Sequence, residues 1–315
     1  MTTEEQLKSA SLLEALTRVR VRAEAHMEEM DLAGLTWSEE TVTEISLPAG
    51  LPYVKPVVFN RPQESAVGAD WLWWWLDLSS GVCFGMLVQA KRVKGGAGKW
   101  TVDVSHGGGV QRESLMAVAD LFEVPAVYCV YMGGPSLREG MGCTHGGVVP
   151  CQGCTRMAIT LMPALSLPLS RTKLQLFDLT VAEGVPLEDL GDTARPAGVV
   201  KDVNFRQLAE GSELRAFLTE EQRGPSEIAK QIFRSVSIRR ANQKSAAVAE
   251  RLQIVGEQVF LDLPGDRGHF GVPYFPHVLR GLRMNPPNYV RDLLAGMSVP
   301  SEVSEAVAGV VLIAM

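Results

Sequence analysis

The chain has 315 residues, of which 46% are hydrophobic and 21% are charged, so it can fill the core of one large domain or of two ordinary ones. Its net charge of −6 excludes a protein that coats nucleic acid non-specifically, although a local basic groove remains compatible with it. The sequence has no apolar run long enough for a transmembrane helix and no secretory signal, and its five cysteines are an odd number. We therefore expect a cytoplasmic protein without a membrane partner, and a metal site rather than a disulfide framework.

The first half of the chain reads as a mixture of helices and strands. Helical periodicity predicts a helix over residues 4–30, and Ser38 is a suitable N-cap for a second, shorter helix. Apolar runs bounded by turn residues predict strands at Val54–Asn60, Ala69–Asp77, Cys83–Arg92 and Trp100–Val104. A helix over Gln111–Phe122 and a buried strand over Val124–Met132 follow. Together these elements predict an α/β fold with a mixed sheet flanked by helices.

The second half is predicted to be mostly helical. Residues 133–157 are irregular and glycine-rich, and residues 264–288 read as a loop because they are rich in Gly and Pro. The predicted elements are helices at Asn204–Glu221 and Ser226–Leu252 and a strand at Val259–Leu263. The chain ends in an apolar run, Ala306–Met315.

One polar constellation adjoins the two central apolar runs. Asp70 directly precedes the run Trp71–Leu76, while Gln89 and Lys91 follow the run Cys83–Val88. Side chains of a strand alternate between faces, so Gln89 and Lys91 point the same way. If the two runs form a hairpin, all three polar side chains converge on one spot. An acid, an amide oxygen and a lysine there suit Mg²⁺-assisted phosphodiester hydrolysis.

The segments Gly68-Ala69-Asp70-Trp71 and Val88-Gln89-Ala90-Lys91-Arg92 resemble the PD-(D/E)xK restriction-endonuclease-like superfamily. The nearest variant is its Mrr-type branch, in which glutamine replaces the second acid and the strand reads close to QAK. The whole segment with GADW and QAKR also looks like an uncharacterised bacterial family. The resemblance covers roughly residues 38–135, and the predicted order of helix, three strands, helix and strand agrees with the superfamily core.

The resemblance implies a catalytic role for several residues. Asp70, the Gln89 amide oxygen and the Ala90 carbonyl would bind Mg²⁺ or Mn²⁺, while Lys91 would orient the attacking water or stabilise the transition state. The superfamily usually has one more acid upstream. The candidates, which the sequence alone does not separate, are Glu64, Glu40 and Glu44. The alternative to a catalytic role is a purely structural one, with Asp70 in a turn and Lys91 at a solvent-exposed strand end.

Three of the five cysteines cluster in the glycine-rich segment 143–154. Cys151 and Cys154 form a CxxC pair, and Cys143 with His145 completes a possible tetrahedral set for a structural Zn²⁺ ion. The CxH spacing is tighter than in common zinc knuckles, so His145 fits a tetrahedral set less readily than the three thiols. Free thiols in a reduced loop, or a redox pair, are the alternatives. Cys83 and Cys129 lie in apolar strands and are expected in the core.

Basic residues near the motif and in the second half are candidates for contacts with DNA phosphates. The basic residues are Arg92, Lys94, Arg239, Arg240 and Lys244, and the neutral Gln111 is a further candidate. Gln111 would contact the DNA backbone or position the catalytic residues. The same two roles are open to its neighbour His106. A solvated helix face is the alternative for the arginines of residues 226–252. The rings of Trp71, Trp73 and Trp75 are expected in the core rather than stacked on bases.

These patterns predict an N-terminal helix (1–37), a nuclease-like core that includes the cysteine-rich loop (38–165), and an accessory or DNA-binding helical region (166–315). The predicted function is metal-dependent cleavage of DNA by an endonuclease, in restriction or defence against foreign DNA. Analogy with nucleases of this class suggests a homodimer. One rival is an inactive nuclease fold that binds DNA or a protein partner. The other is a structural or regulatory zinc protein with an accidental motif.

Overall fold

The computed structural model describes residues 11–59, 71–96, 99–104, 109–139, 141, 143, 151–168, 170–200, 211–241, 250–253, 257–260, 262–265 and 274–315. In these residues nine strands form one mixed sheet with helices on both faces, and two more strands pair with each other. The predicted α/β architecture, with a cysteine cluster and a mostly helical second half, is confirmed.

The elements are numbered in chain order. The helices are α1 (Leu12–Leu32), α2 (Glu39–Ser46), α3 (Val110–Leu121), α4 (Pro135–Glu139), α5 (Gln152–Arg156), α6 (Lys173–Glu183), α7 (Glu213–Thr219), α8 (Gly224–Ala241), α9 (Tyr274–Leu279), α10 (Asn288–Leu294) and α11 (Ser301–Ala306). The strands are β1 (Val54–Val58), β2 (Trp71–Leu76), β3 (Cys83–Gly96), β4 (Lys99–Val102), β5 (Ala126–Tyr131), β6 (Ile159–Pro163), β7 (Val185–Pro186), β8 (Glu250–Gln253), β9 (Asp262–Gly265), β10 (Leu282–Arg283) and β11 (Gly309–Ala314). Short 3₁₀ helices lie at Leu47–Gly50, Ala164–Ser166 and Leu187–Gly191.

The main sheet runs in the order β1, β11, β2, β3, β5, β6, β7, and β4 and β10 also pair with β3. The pairs β11–β2 and β3–β5 are parallel, while the other pairs are antiparallel. The apolar run at the end of the chain is therefore a strand between β1 and β2. Helix α8 packs against β2, β3 and β6, so residues from the second half help to build the core.

Strand β2 lies at the centre of the sheet, and all six of its residues are buried. Trp71, Trp73 and Trp75 belong to the cluster that includes apolar residues of α1, α8 and α9. Trp74 belongs to the cluster on the other face, with residues of α3, α6 and α10. Its ring lies so close to Gly85 of β3 that an added Cβ would approach it to 2.6 Å, which explains a glycine in this buried strand. The expectation that these rings form core is confirmed.

Both N-terminal helices begin at serine caps. Ser11 and Glu14 form a capping box at the start of α1, and residues 1–10 lie outside the described residues. The Ser38 hydroxyl accepts a hydrogen bond from the Thr41 amide, as the sequence predicted for the start of α2. None of the helices in the described part combines the length and apolar composition that a membrane span requires.

Two predictions for the second half were wrong in part. The predicted helix Ser226–Leu252 ends at Ala241 within the described residues, and Glu250–Gln253 instead pairs with β9 as a strand. Pairing with β9, which follows about ten residues later in the chain, overrode the helical pattern there. The segment 264–288, predicted as loop, contains α9 and β10 because Tyr274, Phe275 and Leu282 are buried. Pro276 lies in the first turn of α9, where proline is tolerated.

Candidate functional site

Gln89 and Lys91 lie on one face of β3 and are buried, with 2% and 8% of their surfaces exposed. This is the face on which Leu87 and Val93 join the apolar cluster with α3. Antiparallel pairing of β2 with β3 brings Trp71 opposite Val88, so the two predicted strands do form a hairpin. The expected convergence of Gln89 and Lys91 on one face follows from this geometry.

Within the described residues, the amide group of Gln89 has no hydrogen-bond partner for either its oxygen or its nitrogen. The hydroxyl of Tyr128, which lies opposite Gln89 on β5, is buried and likewise has no partner in that part of the chain. Burial raises the pKa of Tyr128 to about 12, so this residue stays a neutral phenol. Because a buried polar group without a partner costs about 1–3 kcal/mol, this cluster is unfavourable for the fold on its own.

Lys91 is held from the neighbouring helix. Its Nζ atom donates a hydrogen bond to Oε1 of Gln111 at 2.6 Å, in the first turn of α3. The next residue, Arg112, donates to the backbone carbonyls of Leu167 and Ala164 and so fixes the start of α3 against the following segment. Burial lowers the pKa of Arg112. Gln111, predicted either to touch DNA or to hold the site, is thus in contact with Lys91.

Asp70, Glu64, His106, His145 and Lys244 lie outside the described residues. Asp70 is covalently joined to Trp71, whose partner Val88 precedes Gln89 on β3.

The other predicted residues near the motif lie elsewhere. Glu40 and Glu44 are exposed on α2, which packs with Trp37 and Val42 on the opposite face of the sheet. The structure does not bring these carboxylates to Lys91.

Arg92 also points away from Lys91. It donates to the Trp37 carbonyl, its guanidinium lies 5.5 Å from the centre of the Trp37 ring, and Glu39 lies 4.0 Å away. These contacts fasten α2 to β3. Lys94 is exposed on β3, and the side chains of Arg239 and Arg240, near the end of α8, lie outside the described residues.

The three clustered cysteines come together as predicted. The sulfur atoms of Cys143, Cys151 and Cys154 lie within 4.8 Å of one another, a spacing that could hold a metal ion such as zinc. Cys151 is the N-cap of α5 and Cys154 lies within this helix. Burial and the neighbouring thiols Cys143 and Cys151 raise the pKa of Cys154 to about 12. Cys83 and Cys129 are buried in strands, as expected.

A buried network of charges beside this cluster was not predicted. Glu24 on α1 pairs with Arg20 and Arg138, and Glu188 pairs with Arg20 and Arg156. Arg156 also binds Asp189 at 2.6 Å and Asp192 at 2.7 Å. Burial alone would lower the pKa of Arg156, but these two carboxylates raise it. The four-residue spacing of Arg20 and Glu24 on one helix is a sequence signal for their ion pair. No such local signal exists for the pairs with Arg138, Arg156 and Glu188, which lie on distant segments.

Comparison with known proteins gives a family but no activity. The model of a family described as a family of unknown function (DUF6615) matches residues 12–314, so the chain belongs to that family. No curated protein and no solved structure matches the chain.

Proposed function

We propose that this family member is a Mg²⁺-dependent nuclease that hydrolyses DNA phosphodiester bonds, with Asp70, Gln89 and Lys91 at its centre. The observation that carries the proposal is the buried Gln89 amide, unpaired beside a buried lysine on the QAK strand. A fold retains such a costly arrangement most readily where a ligand completes it. Restriction or defence against foreign DNA is the role that the resemblance to the Mrr-type branch suggests.

The donor set suits a hard cation. Asp70, the Gln89 amide oxygen and the Ala90 carbonyl would hold it, and oxygen ligands are those that Mg²⁺ prefers. The orphaned Gln89 oxygen in particular is available for such a bond. When bound, Mg²⁺ or Mn²⁺ supplies a Lewis acid for the phosphate and lowers the pKa of a water molecule.

The remaining roles belong to the chain itself. The Lys91 ammonium would stabilise the negative charge that develops on the phosphate oxygens, or orient the attacking water. Gln111, at 2.6 Å from Lys91 Nζ, would restrict the lysine side chain to one position and so orient that charge. Lys94 on β3 and Arg239, Arg240 and Lys244 of the second half remain candidates for phosphate contacts.

We also propose that the cysteine cluster holds a structural Zn²⁺ ion through Cys143, Cys151 and Cys154, with His145 as the candidate fourth ligand. Three thiol sulfurs within 4.8 Å support the site, and zinc favours tetrahedral sulfur and nitrogen ligands. A closed site of this kind would stabilise a glycine-rich segment that has few apolar residues of its own.

The test is cleavage of plasmid and linear DNA by the purified full chain with Mg²⁺, Mn²⁺ or EDTA. Wild type, Asp70→Asn and Lys91→Met are compared with Lys55→Met, a matched control at an exposed lysine of β1. We expect metal-dependent cleavage by wild type and the control, and its loss in the other two variants. If folded wild type with zinc and Mg²⁺ cuts no modified, unmodified or single-stranded DNA, the nuclease assignment fails. Metal-independent DNA binding would then favour an inactive nuclease fold, and RNA is the next substrate to test.

A further inference from the structure

Three side chains on one face of α1 contact the segments around the cysteine cluster. Arg20, Glu24 and Glu28 are spaced four residues apart and therefore lie in one row along the helix. Glu28 accepts hydrogen bonds from the Ser136 amide and hydroxyl of α4. Glu24 pairs with Arg138 of the same short helix. Arg20 reaches Glu188 in the 3₁₀ helix Leu187–Gly191 at 2.6 Å.

The ion pairs form a continuous series, Arg138–Glu24–Arg20–Glu188–Arg156, which we call the ion chain. Each of the four oxygen atoms of Glu24 and Glu188 pairs with a guanidinium group, and Arg20 lies between the two glutamates and pairs with one oxygen of each. Asp189, Asp192 and Arg195 extend the network, in which four arginines balance four carboxylates. Buried charges are tolerated only when they are paired this completely.

The two ends of the ion chain flank the cysteine cluster in sequence. Arg138 stands five residues before Cys143, and Arg156 stands two residues after Cys154. Their side chains are only 10% and 7% exposed. Both stems of the cysteine segment are therefore fixed to one helix, α1, at points independent of the thiols themselves. Arg138 is fixed through Glu24, and Arg156 through Glu188 and Arg20.

We propose that the ion chain is the scaffold of the metal centre, and that Arg20, Arg138 and Arg156 are positioning residues that set its affinity for Zn²⁺. The inference rests on the zinc centre proposed above. Fixed stems bring the three thiols together before the ion binds, so less conformational freedom is lost on binding. Because coupling between sites is reciprocal, bound Zn²⁺ should in turn stabilise the docking of α1.

The first test is the Zn²⁺ affinity of the full chain, measured by competition with a chromophoric chelator. The variants are Arg20→Met in the middle of the ion chain, Arg138→Met at its end and Cys154→Ser. Arg22→Met is the matched control, since Arg22 is exposed on the same helix. We expect affinity to fall at least about tenfold in both ion-chain variants, to be unchanged in the control and to be lost in Cys154→Ser. Folded Arg20→Met and Arg138→Met with wild-type affinity would overturn the role of the ion chain while leaving the zinc centre intact.

A second measurement needs no substitution, in case an ion-chain variant fails to fold. Hydrogen exchange of α1 backbone amides is compared in wild type with and without Zn²⁺. We expect faster exchange in α1 after zinc is removed, and unchanged exchange would overturn the proposed coupling. Wild type that binds no Zn²⁺ would overturn the centre itself and with it this role of the ion chain.

Discussion

Two buried polar regions of this protein differ in how completely their groups are paired. In the ion chain every oxygen of Glu24 and Glu188 has a guanidinium partner. On β3, the Gln89 amide finds no hydrogen-bond partner among the residues that the structure describes, although only 2% of Gln89 is exposed. Paired charges hold segments together, whereas a buried amide without a partner lowers stability unless a ligand binds to it. We therefore propose a structural role for the ion chain and a catalytic role for the residues around Gln89.

Breaking the ion chain should lower the stability of the protein more than any other change considered below. Glu188→Gln removes the charge that Arg20 and Arg156 share, leaving both guanidinium groups undercompensated, and should lower the free energy of unfolding by about 3–5 kcal/mol. Urea denaturation measures the loss. The control is Glu123→Gln, because Glu123 is 59% exposed and pairs with Arg283 at the surface. The free energy of unfolding of this control should fall by less than about 1 kcal/mol. Equal losses in both variants would show that burial of the ion chain adds nothing.

The next effect is on activity rather than on stability. Lys91→Met should lower the rate of DNA cleavage roughly a hundredfold to a thousandfold, because it removes a positive charge from the transition state. Its unfolding free energy should change by no more than about 1 kcal/mol, the size of one hydrogen bond. Quenched cleavage assays measure the rate, and urea denaturation of the same preparation measures the stability, so the two effects can be separated. Loss of stability comparable to that of Glu188→Gln would mean that Lys91 is structural.

A third variant addresses the unpaired amide directly. Gln89→Met keeps the approximate volume and removes the orphaned groups, so it should raise the free energy of unfolding by about 1–3 kcal/mol while cleavage is lost. The matched control is Gln231→Met, because Gln231 is also buried but donates hydrogen bonds to the backbone carbonyls of Asp189 and Arg195 and to the Glu227 carboxylate. That control should be destabilised. A Gln89→Met protein that is less stable than wild type would contradict the distinction between the two regions.

The smallest effect is expected where polar groups are paired but exposed. In the turn between β2 and β3, hydrogen bonds from Ser80 and Ser79 lower the pKa of Asp77 from 3.8 to about 2. A lowered pKa contributes stability that is present above the unfolded value and disappears as the pH falls through the folded value. Asp77→Asn should therefore cost less than about 1 kcal/mol near neutral pH. The gap to wild type should close as the pH falls from 4 towards 2, as thermal unfolding at several pH values would show.

The local parts of the fold could be predicted from the sequence. Apolar runs and alternation identified β2 and β3, and the period of two put Gln89 and Lys91 on one face. The position of β11 between β1 and β2 could not be predicted, since it depends on pairing between residues at opposite ends of the chain. The same holds for the ion chain, in which Arg20 meets a carboxylate 168 residues away. Periodicity reports which face is buried, but not which distant segment covers it.

We propose that the buried amide of Gln89 binds a divalent cation. The most direct test of this proposal is Mn²⁺ binding to the zinc-loaded full chain, followed through the electron paramagnetic resonance signal of free Mn²⁺. We predict that wild type binds Mn²⁺ and that Gln89→Met binds it at least about tenfold more weakly, a loss of about 1.4 kcal/mol. Unchanged Mn²⁺ affinity in Gln89→Met would contradict the claim and leave the unpaired amide without a function.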